Sequence, residues 1–183
     1  MQNKHFVFIS LIALSFVALT SLVLISSNRL KPEATLVETV REATVQYHRT
    51  PAARAAGYDL VSGFEYCFQN YGVGGMGYHF INTNLLDMTL DLMQPEAIVY
   101  VPDPNGSIQL AAVEYMVPAA AWDSAHTEPP QIQAQSFHLQ EKMGMYTLHI
   151  WIWKDNPSGM FADWNPDVSC PVSLPWKGPM RWR

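Results

Sequence analysis

The chain has 183 residues, of which 49% are hydrophobic and 12% aromatic, enough apolar material for one domain with a buried core. This composition excludes a disordered chain. Residues 1–30 carry only two charged side chains, Lys4 and Arg29, so the remainder has nine basic against sixteen acidic residues, a formal charge of −7. Such acidity argues against nucleic acid as a partner and against docking of the domain on anionic lipid.

An uncharged apolar stretch opens the chain, from Phe6 to Ile25, with a basic residue on either side. It is long enough to cross a bilayer as a helix, and the small residues near its end suit cleavage by signal peptidase. We therefore assign residues 1–30 to a signal peptide or an uncleaved membrane anchor, and both alternatives remain open. Either one places residues 31–183 outside the cytoplasm, most simply in a periplasm.

The chain has two cysteines, Cys67 and Cys170. In an oxidising compartment an even pair predicts a disulfide, which would tie the early part of the domain to its C-terminal tail. Two free buried thiols and two separate metal ligands are the alternatives.

Two helices are predicted after the apolar stretch. Thr35 and Glu38 have the spacing of a capping box, and apolar residues then recur at helical spacing. These apolar residues are Leu36, Val40, Ala43 and Tyr47. Pro51 suits the first turn of a second helix over Ala52–Ala56, and Gly57 suits its left-handed end. We expect both helices to pack on a sheet.

Strands are predicted from Tyr58 onward, where short apolar runs alternate with glycine, proline and asparagine. The glycine-rich segment Gly72–Gly77 leads into a strand at Tyr78–Ile81 and lacks the flanking strand and helix of a dinucleotide-binding motif. The clearest element is a hairpin, in which Ala97–Val101 and Ile108–Val117 flank an Asp-Pro-Asn-Gly turn.

The last part of the chain predicts a long loop at Ala119–Gln135, a strand at Tyr146–Trp153 and a tail at Asp155–Arg183. The tail is rich in proline and glycine, so we expect it to be irregular. It should nevertheless be packed, because its large aromatic side chains need an apolar environment. These are Phe161, Trp164, Trp176 and Trp182.

Together these elements predict a single α+β domain. Its N-terminal helices should pack on a mainly antiparallel sheet that is twisted or partly closed into a barrel, with an irregular C-terminal tail. The oligomeric state is open, and a homo-oligomer is one alternative.

Three ionisable residues interrupt apolar rows on the predicted strands: His79, Glu114 and His149. Side chains alternate across a strand, so each residue can be assigned to one of two faces. A buried carboxylate needs a partner or takes up a proton. Two histidines and one carboxylate can ligate zinc or non-haem iron, and the scattered methionines add copper as a weaker alternative.

Two interpretations without a metal compete with this one. In the first, each residue is a polar side chain satisfied within a mixed core. In the second, the histidines and Glu114 orient a small organic ligand between apolar walls formed by Tyr100, Trp151 and Trp153. His126 and His138 lie in polar surroundings, where we expect them to be solvated.

Two strings in the sequence resemble those of a family of small exported bacterial proteins for which no activity is established. They are GGMGYH, which starts at Gly74, and LHIWIWKDNPSGMFADWNPDVSC, which ends at Cys170. The resemblance covers about Ala43 to Pro171. It implies that the two histidines, Glu114 and the cysteine pair are parts of one structural or functional unit. It implies no cofactor or partner.

Two functional hypotheses come from the sequence. The first is an exported protein that binds a small ligand or has a structural role in the envelope. The second is a metal-dependent enzyme in which His79, Glu114 and His149 hold one zinc, iron or copper ion. The sequence assigns no catalytic residue.

Overall fold

The computed structural model of the chain describes residues 32–171. The predicted targeting segment at residues 1–30 lies outside these residues, as do Trp176 and Trp182. Between residues 32 and 171, no helix combines the length and the apolar character needed to span a bilayer.

Three short helices and eight strands make up the described chain. The helices are α1 (Pro32–Thr44), α2 (Thr50–Ala55) and α3 (Ala119–Ala125), with single 3₁₀ turns at Val45–His48 and Thr83–Leu85. The strands are β1 (Phe68–Asn70), β2 (Gly74–Ile81), β3 (Ala97–Pro102), β4 (Ile108–Pro118), β5 (Gln131–Ile132), β6 (Gln135–Ser136), β7 (His138–Gln140) and β8 (Met145–Trp151). The predicted α+β class is confirmed.

Six of the strands form one antiparallel sheet in the order β1-β2-β3-β4-β8-β7, which curls into a half-barrel. The strands β5 and β6 form a separate two-stranded sheet. The predicted hairpin is β3 and β4, and its register is irregular between Val99 and Tyr100. Because side chains alternate along each strand, the large sheet has two distinct faces.

The helices cover one face of the large sheet, which we call the helix-covered face. Leu36 and Val40 on α1 and Ala53 on α2 are buried against it, as the helical spacing predicts. Its apolar side chains from the central strands are Tyr78, Phe80, Ile98, Tyr100, Val113, Tyr115, Leu148 and Ile150. Arg41 adds a tie from α1, because its Nε donates to the carbonyl of Ile152 at 2.7 Å. This face forms the main hydrophobic core.

The other face, which we call the tail-covered face, lies under the chain that comes after β8. The predicted disulfide is confirmed: Cys67 and Cys170 are joined, with a Cα–Cα distance of 5.6 Å. Asn165 pairs with Gly75 on β2 through two backbone hydrogen bonds of 3.0 Å, and Val168 packs on the sheet. Within residues 155–171 the tail is irregular yet packed, as expected, and Phe161 and Trp164 are half-buried.

Gly74–Gly77 of the glycine-rich segment belongs to β2, which therefore starts four residues before the predicted strand at Tyr78–Ile81, and it allows this close packing. At Gly75 a Cβ atom would stand 2.7 Å from Val168 Cγ1, closer than such atoms can approach. Gly77 has φ +105°, and a Cβ there would collide with the carbonyl oxygen of Tyr100 on β3. Glycine is therefore required for both tail contact and sheet geometry.

Several predicted boundaries are wrong, including that of α2, which is Thr50–Ala55 rather than Ala52–Ala56. Thr35 lies inside α1 rather than at its N-cap, because the helix already includes Pro32. The predicted loop at Ala119–Gln135 contains α3, which a run of alanines after Pro118 can form. The last strand ends at Trp151, two residues earlier than predicted.

Candidate functional site

The tail-covered face brings His79, Glu114 and His149 together. Glu114 on β4 is paired directly with His149 on β8. His79 lies on β2, across β3, and its Nε2 is 3.4 Å from Glu114 Oε2. The residue of β3 that pairs with Glu114 is Ala97, whose small side chain leaves room for this approach. The rings of His79 and His149 have centroids 5.8 Å apart.

All three side chains are buried, and burial disfavours their charged forms. Burial lowers the pKa of His79 to about 4 and lowers the pKa of His149, which the neighbouring His79 lowers further. Burial raises the pKa of Glu114 to about 8, and the charge of Asp163 adds to the rise. At neutral pH the histidines are therefore uncharged and Glu114 is mostly protonated.

Several polar atoms in this region are buried without a hydrogen-bond partner. They include Nδ1 of His79, both ring nitrogens of His149 and Oδ1 of Asp163. Buried polar side chains in proteins are almost always hydrogen-bonded, because an unsatisfied group costs on the order of 1–3 kcal/mol. A cluster of such atoms is a departure from a well-satisfied core.

A cavity of about 160 Å³ lies between the tail-covered face and the loops above it. One part of its lining is apolar, and the other part is formed by polar side chains. The lining residues are Phe64, Phe68, Met76, His79, Ile81, Glu114, Met116, Gln140, Met143, Asp163 and Trp164. We call this space the Glu114 cavity. His149 is not among its lining residues, because its ring packs at 4.6 Å against Trp151 in an edge-to-face contact.

A larger groove, of about 810 Å³, runs beside α1 on the helix side of the molecule. Its lining includes Glu38, Arg41, Trp153 and Met160, and none of the three clustered residues. It is therefore separate from the Glu114 cavity.

The predicted walls of Tyr100, Trp151 and Trp153 do not form one pocket. Tyr100 points to the helix-covered face, where its hydroxyl donates to the carbonyl of Tyr47 at 2.6 Å. Trp151 does lie beside His149 on the tail-covered face, but its indole donates to the carbonyl of Ala162 and it is packed into the core.

Trp153 does not lie on the predicted face, because β8 ends at Trp151. Its backbone N–H donates to the carbonyl of Ala111, which turns the ring toward α1. There its indole donates to Thr44 Oγ1 at 3.0 Å, and Arg41 lies over its ring. Simple alternation from His149 therefore fails at this position.

Within residues 32–171, no three or more histidine, cysteine, aspartate or glutamate side chains are placed so that they could hold a metal ion. His79, Glu114 and His149 are neighbours, but they do not converge on one coordination point. His126 and His138 are exposed, as expected. His126 stacks on Trp122 at 3.8 Å.

The cavity lining also includes residues that were not predicted, among them Phe64, Phe68, Asp163 and Trp164. These four lie in β1, in the chain leading to it and in the tail, where no periodic pattern marks a functional residue. The cysteine pair carried a usable signal, because a disulfide between Cys67 and Cys170 brings these two parts of the chain together.

Comparisons with protein-family models, with curated proteins and with solved structures found no match to this chain. The resemblance to small exported bacterial proteins therefore stays a prediction. Any functional proposal for the chain rests on the fold and on the geometry of the Glu114 cavity.

Proposed function

We propose that the protein binds a small organic molecule in the Glu114 cavity and acts outside the cytoplasm. The observation that carries the proposal is a largely apolar cavity in which His79 and Glu114 are buried 3.4 Å apart. Ligand sites are typically apolar spaces with a few polar groups that orient the bound molecule.

The volume limits the ligand. A cavity of about 150 Å³ is large enough for benzene, so the 160 Å³ of this cavity suits a molecule of similar size. Its body would contact thioether and aromatic side chains, which include Met76, Met116, Phe64 and Phe68. Its polar group would meet Nδ1 of His79, which has no internal hydrogen-bond partner, and the carboxyl group of Glu114.

The disulfide supports the extracytoplasmic part of the proposal. Structural disulfides form and persist in oxidising compartments, and Cys67–Cys170 holds the tail over the cavity. An exported protein would acquire this bond after translocation, so the complete cavity would exist only outside the cytoplasm.

Methionine methyl NMR tests the proposal directly. Met76, Met116 and Met143 line the cavity, whereas Met88 and Met93 are exposed elsewhere. A screen of benzene-sized fragments should shift the signals of the first three methyl groups and leave the other two unchanged. The proposal is wrong if no fragment shifts the three cavity signals.

A substitution that fills the cavity gives the matched control. Met143→Trp adds a large ring from a half-buried turn between β7 and β8, whereas Met88→Trp adds the same ring at an exposed site. We expect Met143→Trp to abolish fragment binding and Met88→Trp to preserve it. Equal binding by both variants would contradict the assignment of the site.

The metal-dependent alternative uses the same face of the sheet. We do not favour it, because the three candidate ligands do not form a coordination set among the described residues. Elemental analysis of protein produced through an export route checks it. If it found close to one zinc, iron or copper ion per chain, and if His79→Ala lost that ion, the metal-dependent alternative would be favoured.

A further inference from the structure

The lining of the Glu114 cavity has an unbalanced charge pattern. Two of its residues are carboxylic acids, Glu114 and Asp163, and no lysine or arginine is among the described residues that line it. The basic side chain in this lining is His79, which is neutral at neutral pH because burial lowers its pKa to about 4. The cavity thus offers acceptor oxygens without a fixed cation.

Asp163 has little internal compensation for its charge. Its Oδ1 is buried without a hydrogen-bond partner, and its closest basic group is Nδ1 of His138 at 3.7 Å. His138 is exposed, so water screens that contact. A buried carboxylate oxygen in this state gains most from a ligand that brings a positive charge and N–H donors.

The apolar part of the lining also suits a cation. Phe64 and Phe68 have ring centroids 5.8 Å apart, and Trp164 lines the same space. Aromatic faces attract organic ammonium groups through the ring quadrupole, most strongly where water is excluded. Carboxylates and aromatic rings therefore favour the same type of ligand.

We propose that the ligand is a small organic cation, an amine of about benzene size whose ammonium group lies between Glu114 and Asp163 and against the aromatic rings of the lining. This inference rests on the proposed function and names its ligand class. An anion would face two carboxyl groups in a low-dielectric space. A neutral molecule would leave the charge of Asp163 uncompensated.

Three probes of similar size separate the possibilities. Cyclopentylamine is a cation at neutral pH, cyclopentanol is neutral and cyclobutanecarboxylate is an anion. Binding is followed by the methyl signals of Met76, Met116 and Met143. The amine should bind about tenfold more tightly than the alcohol, and the anion should not bind.

The outcomes distinguish this inference from the proposed function. If the alcohol or the anion binds as tightly as the amine or more tightly, the cavity is a binding site but its ligand is not a cation. If none of the three probes shifts the cavity signals while other fragments do, the inference is also wrong. If no fragment of any kind shifts them, the proposed function itself fails.

Substitution of the half-buried carboxylate adds a second test. Asp163→Asn should weaken cyclopentylamine about tenfold and leave cyclopentanol unchanged, because it removes charge and keeps shape. Asp167→Asn, an exposed change in the same segment, should leave both affinities unchanged. Equal loss for both probes in Asp163→Asn would show a merely structural role and overturn the inference. Glu114→Gln provides a comparison if Asp163→Asn does not fold, because a bound ammonium group favours the ionised form of Glu114 and Gln cannot ionise.

Discussion

The two faces of the sheet differ in whether their buried polar groups have hydrogen-bond partners. On the helix-covered face, buried hydroxyls have backbone partners: Tyr58 donates to the carbonyl of Pro95 at 2.9 Å, and Tyr115 donates to that of Leu92 at 2.8 Å. On the tail-covered face, both ring nitrogens of His149 have no partner, although the residue has no exposed surface.

Both buried carboxyl groups have a hydrogen-bond partner. Glu96, whose charge acts on Tyr58 and Tyr115, accepts a hydrogen bond of 2.9 Å from the backbone N–H of Met116. Glu114 lines the cavity and has Thr147 as its side-chain partner. The contrast between the two faces therefore rests on the histidines: Nδ1 of His79, which lines the cavity, and both ring nitrogens of His149, which lies outside its lining, have no partner.

The largest effect should come from removing the bond that holds the tail on its face. Cys67 and Cys170 are 103 residues apart, and closing a loop of this length stabilises the folded chain by about 4–5 kcal/mol in the chain-entropy model. The variant Cys67→Ala/Cys170→Ala should lose about this much free energy of unfolding in a urea titration. Wild-type protein in reductant should match the variant. A loss below about 1 kcal/mol would mean that the tail is held by its other contacts.

The two buried carboxyl groups should make stability fall in alkaline solution. Burial raises the pKa of Glu96 to about 7 and that of Glu114 to about 8. In the unfolded chain both groups ionise at ordinary values, so only the folded state holds these protons above neutral pH. This contribution to stability is complete below the unfolded pKa of about 4.5, falls as the pH rises from there, and is fully lost once the pH has passed the folded pKa values.

Between pH 6.5 and 8.5 we expect losses of about 1 kcal/mol from Glu96 and about 2 kcal/mol from Glu114. The buried histidines act in the opposite direction near pH 6.5, because they are neutral in the folded state and about half protonated in the unfolded chain, and each offsets the loss by about 0.4 kcal/mol. Urea titrations at several pH values should show that Glu96→Gln reduces the loss over this range by about 1 kcal/mol and that Glu114→Gln reduces it by about 2 kcal/mol. If the free energy of unfolding of the wild type did not change over this pH range, the pKa values of Glu96 and Glu114 would not be raised in the folded state.

A pair of single substitutions compares the faces most directly and has the smallest expected effects. Tyr100→Phe removes a donor from the carbonyl of Tyr47 and should cost about 1–2 kcal/mol. His149→Leu replaces two unsatisfied nitrogens with a side chain of similar size and should leave stability unchanged or raise it by about 1 kcal/mol. Thermal unfolding checks both. If His149→Leu were the more damaging change, His149 would have a partner that satisfies it.

Local patterns in the sequence were enough for the central strands β3, β4 and β8 and their faces, but not for the short strands β1, β5, β6 and β7. Period-two alternation predicts that His149 and Glu114 interrupt apolar rows, and the turn signal predicts the hairpin of β3 and β4. The cysteine pair predicts the disulfide. The register between strands is not a local property, so the 3.4 Å approach of His79 to Glu114 across Ala97 could not be derived.

The predicted pocket walls failed for two local reasons. Tyr100 comes after Val99, the residue paired with His79, so it points to the opposite face; its side could be assigned only once that pairing was known. Trp153 lies beyond the end of β8, where a backbone bond to Ala111 breaks the alternation. The tail supplies Asp163 and Trp164 without any periodic signal, so only the folded path of the chain reveals them.

Residues 163–170 of the tail come after every strand of the large sheet in the chain. The ribosome delivers β2, β3, β4 and β8 before residues 163–170, so the sheet can form while the face that carries Glu114 is still uncovered. A product that stops before Asp163 would retain the hairpin and the helix-covered core but would expose three buried polar side chains to water. The lining of the Glu114 cavity is therefore complete only when residues 163–170 lie on this face, where the bond between Cys67 and Cys170 holds them.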